Sequence, residues 1–394
     1  MLRTKVGYSD IVDAFEAGIE TARNATNGMN SKVGLLFNSV GYDQKRLLAG
    51  IKTIMPTVDV IGCTSSAGII TPNGYMTKDS GVAGMMVFDD PELKVACYGM
   101  PKGKSARETG RVVALRAIER AGIDYAPDYF FMSASPAEEE EYIKGIQDII
   151  GRVPCFGGSA ADNTVEGKWS LFFNNEVFDD GVVVAFFYTN KDINTIYTGA
   201  YRETDKMGII TEVKDKRTLV SIDGVSALKK YAEWIEVSPS ELKENNLLVA
   251  SITKPLGVKS PFGDMTVIRH PMFGDDNHTK TFNDDTMRLG NNLIEKTAVI
   301  QMEATVDELI ESTGNTLREL KKKCPNASGY LLVHCGGRRL GIGDRMNEVY
   351  EQLQKEAGDV PFLVAFTFGE YGYTTDAQCN TAGGLMLSFT AFEK

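Results

Sequence analysis

The chain has 394 residues, 43% hydrophobic and 24% charged, and its 42 Lys and Arg against 53 Asp and Glu give a formal charge of −11. No Lys/Arg-rich block interrupts this acidic balance, so the basic face that a phosphate backbone requires is missing and nucleic acid is excluded as a partner. The longest strongly apolar run, "GVVVAFFY" at 181–188, is far too short to span a bilayer, and "MLRTKVGYSD" has no signal-peptide core; the expectation is a soluble, cytoplasmic protein without membrane insertion.

The spacing of Ile11, Phe15, Ile19 and Ala22 predicts a first helix within "SDIVDAFEAGIETARNATNG", stopped by Asn27-Gly28. The strand "KVGLLFNS" follows, then a helix carrying Leu47, Leu48, Ile51 and Ile54 up to Pro56. The strand "VDVIG" then runs into the polar turn "CTSSAG", and "GVAGMMVF" is the next strand.

That order returns. Ser105 and Glu108 form a capping box for a helix with Val112, Val113, Leu115 and Ile118, followed by the strand "DYFFMSAS". Ser135, Pro136 and Glu138 predict a helix start ahead of Tyr142, Ile146, Ile149 and Ile150, and Gly151 leads into "VPCFGGSAADN" and later "DGVVVAFFYTN". Between them "WSLFFNNEVF" reads as a hairpin turning at Asn174-Asn175.

A third copy opens with Thr305 and Glu308 boxing a helix that carries Leu309, Ile310, Leu317 and Leu320. "GYLLVHC", the glycine-rich loop "GGRRLGIGD", a helix from about Asp344, the strand "DVPFLVAFTFGEYGY" and "NTAGGLMLSFTAF" complete it. Three matches to one template predict an α/β fold of repeated helix-strand-helix-strand-turn-strand units, with mixed sheets layered by helices. Residues 201–304, which read as strands and turns with a short helix at "SALKKYAEW", separate copies two and three. The simplest division is two domains, 1–200 with two copies and 201–394 with the insertion and the third.

Six cysteines without a C-x-x-C pair are expected to be free thiols, and His270, His278 and His334 offer no zinc-binding arrangement. No cofactor or metal is therefore required.

"IGCTSSAG", "FGGSAADN", "HCGGR" and "FTFGEYG" followed by "CNTAGG", in this order, resemble the FIST family with its FIST N and FIST C regions, over most of the chain from about Lys32 to Phe392. The resemblance implies a cytoplasmic sensory module of intracellular signal transduction that binds a small ligand, with amino acids among the candidates. With no room in these residues for a kinase, cyclase or chemoreceptor output, it implies a stand-alone sensor whose signal passes to a separate partner of one of those types.

Turns at the C-terminal ends of strands collect at one edge of an α/β sheet, where ligands usually bind. This makes Cys63, Thr64, Ser65, Ser159, Asp162, Asn163, Glu370 and Asn380 candidate ligand-binding residues. Arg338, which matches the Cys-x-x-Arg-like motif of the resemblance, is suited to a ligand carboxylate, with Asp162 or Glu370 for an ammonium group. The competing reading for each of the small polar residues is a local turn bond to backbone. Two alternatives stand beside the sensor: an enzyme with Cys63 as nucleophile and His334 as base, and a non-covalent haem sensor of nitric oxide, which some FIST relatives imply, with His270 as axial ligand.

Overall fold

The computed structural model describes residues 1–243, 246–260, 264–273, 285–375 and 377–394; His278 lies outside them. Each of the three repeats builds a six-stranded mixed sheet around one parallel pair: Val33–Asn38 with Asp59–Thr64, Tyr129–Ala134 with Cys155–Gly158, and Ala327–Cys335 with Phe362–Thr367. A helix joins the two strands of each pair: Gln44–Ile54, Glu139–Ile150 and Met346–Ala357. The long strands Ala83–Asp89, Gly181–Tyr188 and Leu387–Glu393 run antiparallel beside the first strand of each pair. The expected repeat of helices and strands in mixed, helix-layered sheets is what the chain forms.

The sheets are completed by exchange. The short hairpin of the first repeat, Ile69–Thr71 with Gly74–Met76, pairs with Phe362–Thr367 of the third, Val364 opposite Ile70. The hairpin of the third, Glu370–Thr374 with Cys379–Gly383, pairs with Cys155–Gly158 of the second. The hairpin of the second, Leu171–Phe173 with Glu176–Phe178 turning at Asn174, pairs with Asp59–Thr64 of the first. This closed cycle covers edges that would otherwise carry unpaired backbone groups. The inner sheet faces meet in one apolar core in which Phe37, Phe131, Phe156, Val333, Leu363 and Phe392 are buried together.

The insertion forms an antiparallel sheet of its own, built around Arg202–Lys214, Thr218–Ile222 and Ala298–Glu303. The helix Ala227–Ile235 covers it, with Leu219, Tyr231, Trp234 and Leu256 in a separate core.

Four expectations are corrected. The first helix spans Ala14–Thr26 behind an Asp13 cap, and its buried face is the small-residue stripe Ala14, Ala17, Gly18, Thr21, Ala22 and Ala25. Ile11 falls outside the helix and is exposed. Gly18 and Gly50 allow this packing: a Cβ would lie 2.1 Å from Leu47 O at the first and 2.0 Å from Phe15 O at the second. In the second repeat the crossover helix starts at Glu139, because the Ser135 hydroxyl is engaged by Asp180, at 2.8 Å, and cannot cap it. "GGRRLGI" is a short helix, Gly336–Ile342, entered directly from its strand. The run from Asp359 to Tyr373 is two strands, Phe362–Thr367 and Glu370–Thr374, which belong to different sheets because the chain crosses between repeats at Phe368-Gly369. Among the described residues, no helix is long and apolar enough to cross a membrane.

Candidate functional site

The strand-end turns of the three repeats interlock. Ala161 N donates to Thr64 O at 2.9 Å, Ser66 N to Phe366 O at 2.9 Å, and Ser159 N to Gly369 O at 2.7 Å. Ala67 N donates to Asn163 Oδ1 at 2.8 Å. Thr64 and Ser159 are counterparts, since Ser65 N donates to Asn38 O as Ala160 N does to Ala134 O. Thr367, opposite Cys335 as Thr64 is opposite Asn38, is the third.

Most of the expected residues turn their polar atoms inward. Cys63 is packed in the central core, and burial pushes its thiol up to about 12. Thr64 Oγ1 accepts from Ser170 N at 2.9 Å. Ser65 Oγ donates to Gly68 O at 2.6 Å and accepts from Phe366 N at 2.8 Å. The Asp162 carboxylate accepts the backbone N–H groups of Thr164, Val165, Glu166 and Lys168, which occupies it as the organiser of its own loop. Asn380 joins its hairpin to the second sheet, accepting from Cys155 N and donating to Val153 O, each at 2.8 Å. Arg338 is fully buried, donating to Gly199 O, Leu309 O and Ser312 Oγ, so it braces the helix Val306–Lys323.

Two buried acids sit behind the turns, each held by one of the counterpart hydroxyls. Ser159 Oγ donates to Glu139 Oε1 at 3.0 Å and lies 2.7 Å from Tyr371 OH. Thr367 Oγ1 donates to Glu370 Oε1 at 2.8 Å, and Met386 N to Glu370 Oε2 at 2.9 Å. Burial pushes the Glu370 carboxyl up to about 8 and also raises Glu139.

In front of them opens a cleft of about 500 Å³ between the repeats and the insertion. The repeats contribute Glu139, the Val165–Trp169 loop and Phe368; the insertion contributes Arg217, Met272, Phe273 and Arg288. A recess of about 50 Å³, with Ser66, Asn163, His270 and Arg339 on its walls, shares Val165, Met272, Gly290 and Phe368 with the cleft. Arg217 Nη2 reaches Glu139 Oε2 and Glu140 Oε2, each at 2.6 Å, and so ties insertion to crossover helix. The side chains of Arg288 and Arg339 make no hydrogen bond or ion pair among the described residues, and Arg339 Nε is buried without a partner.

The family model "FIST N domain" matches residues 32–225, and "FIST C domain" matches 227–373. The chain belongs to the FIST family. An uncharacterized protein of Methanocaldococcus jannaschii is 26% identical over 237 residues, which are 57% of this chain and 44% of that protein, so the match spans less than half of the relative. Among solved structures, two of cyanuric acid hydrolase are weakly similar. One aligns over 99% of each chain, with a TM-score of 0.35 and 9% identity. The other, from A. caulinodans, aligns over 77% of this chain and 99% of its own, with a TM-score of 0.30 and 10% identity.

Among the described residues, neither the Cys63–His334 pair nor His270 is presented for the alternative chemistry. A Cys63 nucleophile would need a thiolate and a base. Cys63 is fully buried, and His334 turns Nδ1 to Cys335 O, with burial pulling its pKa down to about 3. The residues around His270 do not fit a haem. Its Nε2 is bonded to Leu248 O at 3.1 Å, so the ring nitrogen that would ligate iron is already engaged. Among the described residues no cluster of metal-ligating side chains occurs.

Sequence reasoning found the turns but missed the cleft's charged residues. Glu139 and Glu140 stand in the acidic run "EEEE" at 138–141, which suits the first turn of a helix or a contact with a partner, and Arg217 stands 78 and 77 positions away. The single local signal was that run of four acids at a predicted helix start.

Proposed function

We propose that this FIST protein is a sensory ligand-binding protein of intracellular signal transduction, which binds a small polar ligand, amino acids among the candidates, in the cleft between repeats and insertion. One observation carries this reading: the strand-end turns of three repeats interlock beside the cleft, and its floor is the Glu139–Arg217 pair that joins repeats to insertion. A ligand seated there touches both bodies, so its binding energy acts on their packing, which is what a sensor needs to bias a surface read by a partner. That partner is a separate signalling protein of kinase, cyclase or chemoreceptor type. All six cysteines are free, which supports a reducing, cytoplasmic setting.

The test is a thermal-shift screen of amino acids, nucleotides, organic acids and haem. A ligand at a hundred times its dissociation constant adds about 2.7 kcal/mol of stability. The reading expects a hit that Trp169→Ala in the cleft wall weakens and Asn380→Ala does not. Silence across the whole screen overturns it.

A further inference from the structure

The charges lining the cleft are unevenly paired. Arg217 is matched by Glu139 and Glu140, each 2.6 Å away, and Glu166 pairs with Lys168 at 2.6 Å. What remains is two guanidinium groups, Arg288 in the cleft and Arg339 in the recess, neither of which has a partner among the described residues. The Arg339 Nε and both amide atoms of Asn291 are buried and unsatisfied among the described residues. Asn291 stands against the recess, where a Cβ on Gly384 would lie 3.5 Å from its Oδ1.

Two guanidinium groups in adjoining cavities without an ion-pair partner among the described residues, in a protein with a net charge of −11, bear a desolvation cost that a bound anion would offset. The cost is real at Arg288, whose pKa is lowered by burial and then by Arg217, against an opposing pull from Asp215. The acids at the cleft that the structure describes are already engaged: Glu139 accepts from Ser159, Arg217 and Ala137 N, Glu140 from Arg217 and Asn292 N, and Glu166 pairs with Lys168. Between the two guanidiniums the shared wall is apolar, made of Val165, Met272 and Phe368, with Trp169 edge-on to Phe368 at 6.1 Å.

We infer that the cleft takes a small organic dianion, two acidic groups on an apolar body, with one group on Arg288 and the other on Arg339. The inference rests on the sensory reading above and names its ligand class. Guanidinium forks match carboxylates in paired hydrogen bonds, and the unsatisfied Asn291 amide adds a donor beside the second group. An amino acid enters this class when its side chain carries a second acid.

Calorimetric titration with glutarate, isophthalate, L-glutamate, benzoate, L-phenylalanine and L-lysine tests it in the wild type, Arg288→Gln and Arg339→Gln. The expected result is binding by at least one of the three dicarboxylates, weakened about tenfold or more by each substitution, with benzoate and L-lysine inferior to it. Neither variant should lower the ligand-free midpoint, since neither side chain has a hydrogen-bond or ion-pair partner among the described residues to lose. Tighter binding of L-phenylalanine or L-lysine, equal in all three proteins, overturns the dianion and leaves the sensory reading standing. Failure of all three dicarboxylates overturns the dianion as well, and only silence in the wider screen also removes the sensory reading.

Discussion

Arg217 Nη2 lies 2.6 Å from Glu139 Oε2, with side-chain exposures of 5% and 1%, and it bonds Glu140 at the same distance. One cation from the insertion thus bridges two acids at the N-terminus of the second repeat's crossover helix. A buried pair of this kind adds little over an apolar substitute, but removing one partner strands the other.

Arg217→Met is therefore expected to cost about 3–5 kcal/mol in urea denaturation. Glu139→Gln should cost less, because Arg217 keeps Glu140 and the amide can still accept from Ser159. The double substitution should be less destabilised than the sum of the singles, since the stranded charges are contiguous. A loss under about 1 kcal/mol in Arg217→Met would mean that the pair does not hold the insertion in place.

Stability should peak near pH 6.5. Burial raises Glu370 from an ordinary 4.5 to about 8, so its contribution is complete below 4.5 and is lost as pH rises through 8. Burial lowers His270 from 6.5 to about 4 and His334 from 6.5 to about 3, so their contributions are present above 6.5 and lost as pH falls through 4 and 3. Of these three groups only Glu370 acts between about 6.5 and 8, at about 1.4 kcal/mol per pH unit, so stability falls with pH there, and the raised Glu139 acts in the same sense. Between 4.5 and 6.5 two histidines oppose one glutamate, and stability rises with pH. Denaturation profiles should show Glu370→Gln flattening the alkaline limb and leaving the acid limb in place; an unchanged alkaline limb would mean that Glu370 is ionised in the fold.

The repeats were legible because each is written locally, in helical spacing, capping boxes such as Thr305 with Glu308, and turns that follow apolar strands. The same local chemistry hid the roles of the residues in those turns. Asp162, Thr64 and Ser65 meet backbone groups, the destiny that short polar side chains in turns usually have, and Arg338 serves carbonyls from two other segments. The hairpin exchange and the cleft depend on partners far apart in the chain, as when Val364 meets Ile70 or Arg217 meets Glu139. No pattern within either segment encodes such a meeting. What does survive in the sequence is the mark of close approach, glycines at helix positions where propensity argues against them.

Gly145 is one of these marks, and its substitution gives the last prediction. It lies in the helix Glu139–Ile150, and a Cβ there would sit 2.0 Å from Arg107 O and 2.9 Å from Arg107 C, backbone atoms of the neighbouring helix Ala106–Ala121. In an open helix Gly→Ala gains about 0.5–1 kcal/mol. Here the two helices must separate, and Gly145→Ala is expected to cost about 1–3 kcal/mol instead. Gly122, at the C-cap of Ala106–Ala121 with φ 58° and no atom within 4 Å of a built Cβ, is the control. There Gly→Asn should be nearly neutral, because asparagine tolerates the left-handed region, while Gly145→Asn should be at least as damaging as Gly145→Ala. Because Glu139 opens the same helix, displacement of that helix also moves the carboxylate that meets Arg217, so Gly145→Ala should weaken cleft binding although it touches no cleft residue. Wild-type stability in Gly145→Ala would mean that the helices have room to spare, and the glycine would then have no packing role.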